Sequence, residues 1–146
     1  MSIIDLTLER AHKEWSDFED TGNEMMVDSI VLNLHAAYNG LEVLFESIAR
    51  TVDQHRPQGE RWHQELLSQM AKPIKDVRPT VISYDSCQML SNYCRFRHVV
   101  RHTYPIEIKI SPVKEHLDYA VPTFEQAKAE LLAFAEMLSK LDSAKP

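Results

Sequence analysis

The feature that most constrains this chain is an uninterrupted helical recurrence of apolar residues near its start. Val27, Ile30, Val31, Leu34, Ala37, Tyr38, Leu41, Leu44, Phe45, Ile48 and Val52 return at three- and four-residue steps, the spacing that gathers side chains on one face of a 3.6-residue helix. A rod of that length needs neighbours of its own kind to cover its stripe. Three further segments supply them. Ile4, Leu8, Ala11, Trp15 and Phe18 mark a helix over about Ser2 to Asp20, closed by Thr21-Gly22-Asn23. Tyr84 to about His102 and Pro112 to Leu141 read as two more, the last carrying Leu117, Val121, Phe124, Leu131, Phe134, Ala135, Leu138 and Leu141, with a kink or restart at Pro122. A shorter helix covers about Glu60 to Ala71, followed by Pro73 and Pro79. Only three glycines occur. The expectation is an all-α, up-and-down bundle of four to five helices in one domain over residues 1–141, with 142–146 as a flexible tail.

The segment Pro105 to Ser111 alternates Ile106, Ile108 and Ile110 with Glu107 and Lys109. An extended loop packing its isoleucines is preferred over a strand, because a lone strand has no evident partner. No apolar run approaches the ~18 residues of a membrane span, and charges appear too early for a signal peptide, so the expected location is cytoplasmic. Cys87 and Cys94 stand about 10 Å apart along one helix, too far for a bridge within it. They read as reduced, partly buried thiols.

The formal net charge is −6, which argues against a protein that coats nucleic acid by bulk electrostatics. The distribution is uneven. From Arg95 to Lys114 five basic residues face one acid, a local balance of +4 that leaves −10 for the rest of the chain. Within this patch Met89, Tyr93, Phe96 and Val100 form the expected buried stripe of the helix, while Arg95, His98 and His102 share the opposite face and Arg97, Arg101 and Tyr104 a flank. A solvated helix end is the plain reading of any one of these residues. Three arginines and two histidines in eight residues, with no acid among them, instead call for a visiting anion.

Two chemistries compete for that anion site. His98 and His102 at i, i+4 resemble half of a zinc site, but their neighbours are arginines, which oppose a dication, so neither a metal nor another cofactor is called for. Metal-independent phosphodiester cleavage fits better. A histidine moves the proton of an attacking ribose 2′-hydroxyl, and an arginine stabilises the charge growing on the phosphoryl oxygens. DNA lacks that hydroxyl, so RNA is the implied substrate.

The order Arg97, four residues, His102, one residue, Tyr104 resembles the Arg-x4-His-x-Tyr signature of HepT toxins in the HEPN superfamily, and His98 fits the polar position that follows the arginine. The resemblance implies a homodimeric endoribonuclease of a toxin–antitoxin pair, with Arg97 binding phosphate, His102 as general acid or base and His98 assisting. It further implies a cognate minimal nucleotidyltransferase antitoxin, MNT or MntA, that transfers AMP to Tyr104, and cellular RNA as target, tRNA ahead of mRNA. Arg101 is a candidate RNA phosphate contact.

Helical geometry qualifies this reading. Arg97 and His102 stand about 140° apart on a regular helix, so either the helix ends before His102 or the pair is completed across a two-fold axis. Arg95 is the competing partner, since it shares a face with His102. Glu42 and Glu46 on the long helix are expected to be a solvated pair, with holding an arginine of the motif as the alternative. A non-catalytic module binding nucleotide, RNA or a partner protein through the same patch, or a purely structural helical adaptor, remains open to the residues alone.

Overall fold

In the computed structural model the backbone is described for residues 2–103 and 110–143, and the side chains for residues 4–95 and 113–141. Five α-helices follow one another: α1 Ser2–Thr21, α2 Met25–Ile48, α3 Trp62–Met70, α4 Tyr84–Thr103 and α5 Ile110–Ser143. No strand occurs among the described residues; a single bridge, Ile74 to Arg78, pins the loop after α3. The architecture is the expected all-α bundle.

The long rod is its centre. Val27, Ile30, Val31, Leu34, Ala37, Tyr38, Leu41 and Phe45 are buried, and α2 packs against each of the other four helices. α1 lies along it through Ile4, Leu8 and Ala11, and Gly40 permits the approach: a Cβ there would stand 3.2 Å from Cγ1 of Ile4. Gly22, at φ +67°, ends α1 with its N–H on the Phe18 carbonyl at 2.7 Å, the left-handed exit that glycine makes at no steric cost. Asn23 Oδ1 then accepts the Met25 N–H and starts α2.

The last turn of the rod differs from the rest. Ala49–Asp53 is π-helical and closes on Gln54 in the left-handed region, with His55 N–H on the Ala49 carbonyl. Asp53 thereby faces the loop after α3. Its carboxylate is fully buried against Arg78, which donates from Nε to Oδ1 and from Nη2 to Oδ2 at 2.7 Å. Arg78 gives its remaining N–H groups to the carbonyls of Lys72, Pro79 and Gln69, so all five of its donors are used. This buried pair ties the end of the rod to both ends of the α3 loop.

α4 is capped from another helix. Glu130 of α5 accepts from the Ser83 N–H at 2.8 Å and from the hydroxyls of Ser83 and Ser86. Burial pushes the Glu130 carboxyl up, but these bonds and one from Gln126 outweigh it, and its pKa is lowered. Tyr93 anchors the middle of α4, donating to the His116 carbonyl at 2.6 Å with its ring edge-on to Phe124. Burial pushes its phenol pKa upward.

Four expectations change. The buried side of α4 is Ser86, Leu90, Tyr93 and Cys94, with Met89 only half-buried, because α4 is wedged against α2, α3 and α5 together rather than against one partner; Phe96 and Val100 lie outside the described side chains. Ile110 and Ser111 begin α5 rather than ending an extended loop; 104–109 lie outside the described residues. α5 runs through Pro122 without a restart. Val121, Ala135 and Leu141, placed on its inner stripe from sequence, are exposed, whereas Val113, Ala120 and Ala127 are buried. Cys87 and Cys94 are free thiols, and burial raises the Cys87 pKa. No described helix is long and apolar enough to cross a membrane.

Candidate functional site

α3 runs antiparallel to the first half of α4. The Cys87 Sγ lies 3.9 Å from the Leu67 carbonyl and Ser91 Oγ 3.5 Å from Gln64 Oε1, so advancing along α4 means retreating along α3. Between them and the flanking loops opens a cleft of about 1150 Å³, lined by His55, Arg61, His63, Lys72, Cys94 and Arg95 among others. Arg95 is exposed there, and among the described residues its side-chain partners are neutral, Asn92 Oδ1 at 2.6 Å and Ser91 Oγ at 3.3 Å.

One lining residue, His63, is backed by a buried carboxylate. Glu42 is 3% exposed, and its Oε2 lies 2.7 Å from Nδ1 of His63. The His63 ring also stacks on Trp62, with centroids 3.6 Å apart, and the guanidinium of Arg56 covers the Trp62 ring at 5.0 Å. Glu46, one turn beyond Glu42, pairs with Arg50 and Arg56 at 3.3 and 3.2 Å. The expectation of a solvated Glu42–Glu46 pair is therefore wrong. α3 lies across α2 at this level and removes Glu42 from water, and a carboxylate so placed requires a donor. Glu46 does hold arginines, but they belong to the turn after α2.

The candidates Arg97, His98, Arg101 and His102 fall further along α4. The helix continues without interruption through Thr103, so the alternative in which it stops before His102 does not occur. On its regular register Ser91, Arg95, His98 and His102 fall in one row, and Arg97 falls in line with buried Leu90. Arg95 is the only one of the candidates whose side chain is described. The side chains of Arg97, His98, Arg101 and His102, and the whole of Tyr104, lie outside the described residues.

His55, Arg61, His63 and Lys72 were not singled out from sequence. They are distant from Arg95 along the chain, and only the antiparallel seating of α3 on α4 brings them to one cleft. The signal available beforehand was the run Arg61-Trp62-His63, a base and a histidine flanking an aromatic, too common to carry weight alone. Among the described residues no group of three or more His, Cys, Asp or Glu side chains is arranged to hold a metal ion.

The architecture defines the class: an all-α HEPN-like bundle whose long second helix is wrapped by the other four. A family model described as HepT-like protein matches residues 29–138. That span is well over half of the chain and encloses α3, the cleft and the whole of RHVVRHTY, and the chain belongs to the HepT-like family. No curated protein and no solved structure matches it.

Proposed function

We propose that this protein is the toxin of a toxin–antitoxin pair and acts as a metal-independent endoribonuclease. The observation that carries the reading is the position of the motif: Arg97 to Tyr104 lie inside the family-matched span, and Arg97 to His102 fall in the last turns of α4, on the helix whose preceding turn borders the cleft. In the proposed reaction the ribose 2′-oxygen bonds to the adjacent phosphorus while the bond from phosphorus to the 5′-oxygen breaks. One proton leaves the 2′-hydroxyl and one is delivered to the departing 5′-oxygen, giving a 2′,3′-cyclic phosphate and a 5′-hydroxyl. His102 serves as general acid or base, assisted by His98. Arginine N–H groups stabilise the phosphoryl oxygens.

The continuity of α4 sharpens the choice of arginine. With Arg97 and His102 about 140° apart on one straight helix, Arg97 acts on the phosphate held by His102 of a second copy, across the two-fold axis of a homodimer. Arg95 shares the His102 row and guides the strand toward the same chain's His102, and Arg101 adds a further phosphate contact. Cellular RNA is the substrate, with tRNA ahead of mRNA because an exposed single-stranded loop or end suits a small cleft better than a duplex does. A minimal nucleotidyltransferase antitoxin (MNT) acting in the cytoplasm would transfer AMP from ATP to the Tyr104 hydroxyl, the new bond to the α-phosphorus replacing its bond to pyrophosphate, which leaves. AMP there places a bulky anion beside the phosphate-binding arginines and excludes RNA by charge and volume.

The test is cleavage of tRNA and mRNA by the purified protein and by His102→Ala. The expected result is cyclic-phosphate ends from the parent and a loss of about 10²- to 10⁴-fold in the variant, with an unchanged melting curve. Equal cleavage by both proteins overturns the assignment.

A further inference from the structure

The described cations of this protein divide into two groups. Arg50, Arg56, Arg78, Lys114, Lys128 and Lys140 each pair with a carboxylate. Arg61, Lys72 and Arg95 do not pair with one, and all three open on the cleft between α3 and α4. Arg10, Lys13 and Lys75 also lack a carboxylate partner, but none of them lines the cleft. Convergence on one concavity is what sets the first three apart.

Their placement specifies the shape of the ligand. Arg61 immediately precedes α3 and Lys72 closely follows it, a separation of about 16 Å at helical rise. A single phosphate would meet both only with the two side chains fully extended toward one point. A strand carrying several meets both without that, and the opposite wall supplies Arg95, whose row on α4 leads through His98 to His102. Between these points His63 lines the cleft with its Nδ1 turned to buried Glu42. That bond fixes the ring's orientation and makes His63 a preset polar contact rather than a mobile surface side chain. Glu60 and Glu65 also reach the cleft and repel an anion from their positions, which confines the strand to the line of the bases.

We propose that the α3–α4 cleft is a second RNA-binding subsite, in which Arg61, Lys72, Arg95 and the Glu42-oriented His63 hold phosphates of the single strand flanking the one cleaved. It rests on the reading of this protein as an RNA-cleaving enzyme, and assigns to it a surface lying outside the Arg97–Tyr104 motif. Affinity then comes from two walls of distant sequence, and turnover from the end of α4 alone.

The test separates binding from cleavage. In the full-length His102→Ala protein, affinity for a short fluorescein-labelled single-stranded RNA is followed by anisotropy across a salt series. Arg61→Ala and Lys72→Ala, both exposed and free to change without unfolding the chain, are each expected to weaken binding about tenfold and to lower the salt slope by about one. His63→Gln should weaken binding, and Glu65→Gln should strengthen it. Unchanged affinity and slope in Arg61→Ala and Lys72→Ala overturn the subsite. Should that happen while cleavage by the parent depends on His102, the subsite falls alone. Should the parent fail to cleave RNA while the two variants still bind it more weakly, the ribonuclease reading falls and the subsite stands. If the His102→Ala protein binds no RNA and the unsubstituted protein cleaves none, both fall.

Discussion

Arg78 and Arg61 bracket the same short helix and stand in opposite electrostatic conditions. Arg78 is fully buried, directs all five N–H groups to protein oxygens, and neutralises the equally buried Asp53. Arg61 is exposed on the rim of the cleft without a carboxylate partner, as are Lys72 behind it and Arg95 across from it. A saturated guanidinium can only hold the fold together, because any ligand would have to displace bonds already made in a low-dielectric site. An unsaturated one adds little to stability and keeps its donors for an anion. Around α3, then, one cation is saturated by the fold while Arg61 and Lys72 at its two ends keep their donors exposed.

The largest expected effect breaks the stable side. Arg78→Met leaves Asp53 buried without a counter-charge and should cost about 3–5 kcal/mol, read as a lower urea midpoint or as failure to accumulate. Arg61→Ala should lie within about 0.5 kcal/mol of the parent in the same measurement. Equal destabilisation by the two would erase the contrast.

A smaller effect tests the buried carboxylate behind His63. Glu42→Ala leaves the His63 Nδ1 without its buried acceptor and should cost about 1–3 kcal/mol, whereas Glu42→Gln, which retains an oxygen at that distance, should recover most of the loss. Urea melts of the two variants decide the matter. A Glu42→Ala protein as stable as the parent would mean that the pair orients nothing.

The smallest effect concerns the remote cap of α4. The pKa of Glu130 is lower in the folded chain than its ordinary value of 4.5, so as pH falls below that value the unfolded chain takes up the proton first. The group's contribution is therefore fully present above pH 4.5 and declines with acidification until the folded carboxyl is itself protonated. Solvent exposure of the group keeps the effect small. Urea midpoints between neutral pH and pH 3 (~1.5 units below that value) should fall less steeply for Glu130→Gln than for the parent; parallel curves would remove Glu130 from the account.

Much of the fold was legible before any coordinates. Hydrophobic period placed the long helix, and helix-breaking residues bounded the others: α1, expected over Ser2 to Asp20, runs Ser2–Thr21, and α4, expected to start at Tyr84, starts there and is helical through Thr103, the last residue described before 110. The π-helical turn at Ala49–Asp53 was not legible, because nothing local distinguishes it from a final α-helical turn. The candidate site was legible only in its contiguous part. Arg97 to Tyr104 lie together in the chain, and a short motif can be read wherever its residues are adjacent. Glu42 could not be recognised as buried, since its stripe on α2 borders solvent until α3 covers it.

The sequence by itself determined the helices, the class of fold, the family signature and the basic patch at the end of α4, because each depends on residues within a few turns of one another. Tertiary structure alone decided which charges are silenced and which are left to act. Asp53 meets Arg78, and Glu42 meets His63. Arg61 and Lys72 come to face Arg95 across one cleft. Such pairings depend on how α3 is seated against α2 and α4, and that seating follows from packing buried surfaces that are far apart in the chain.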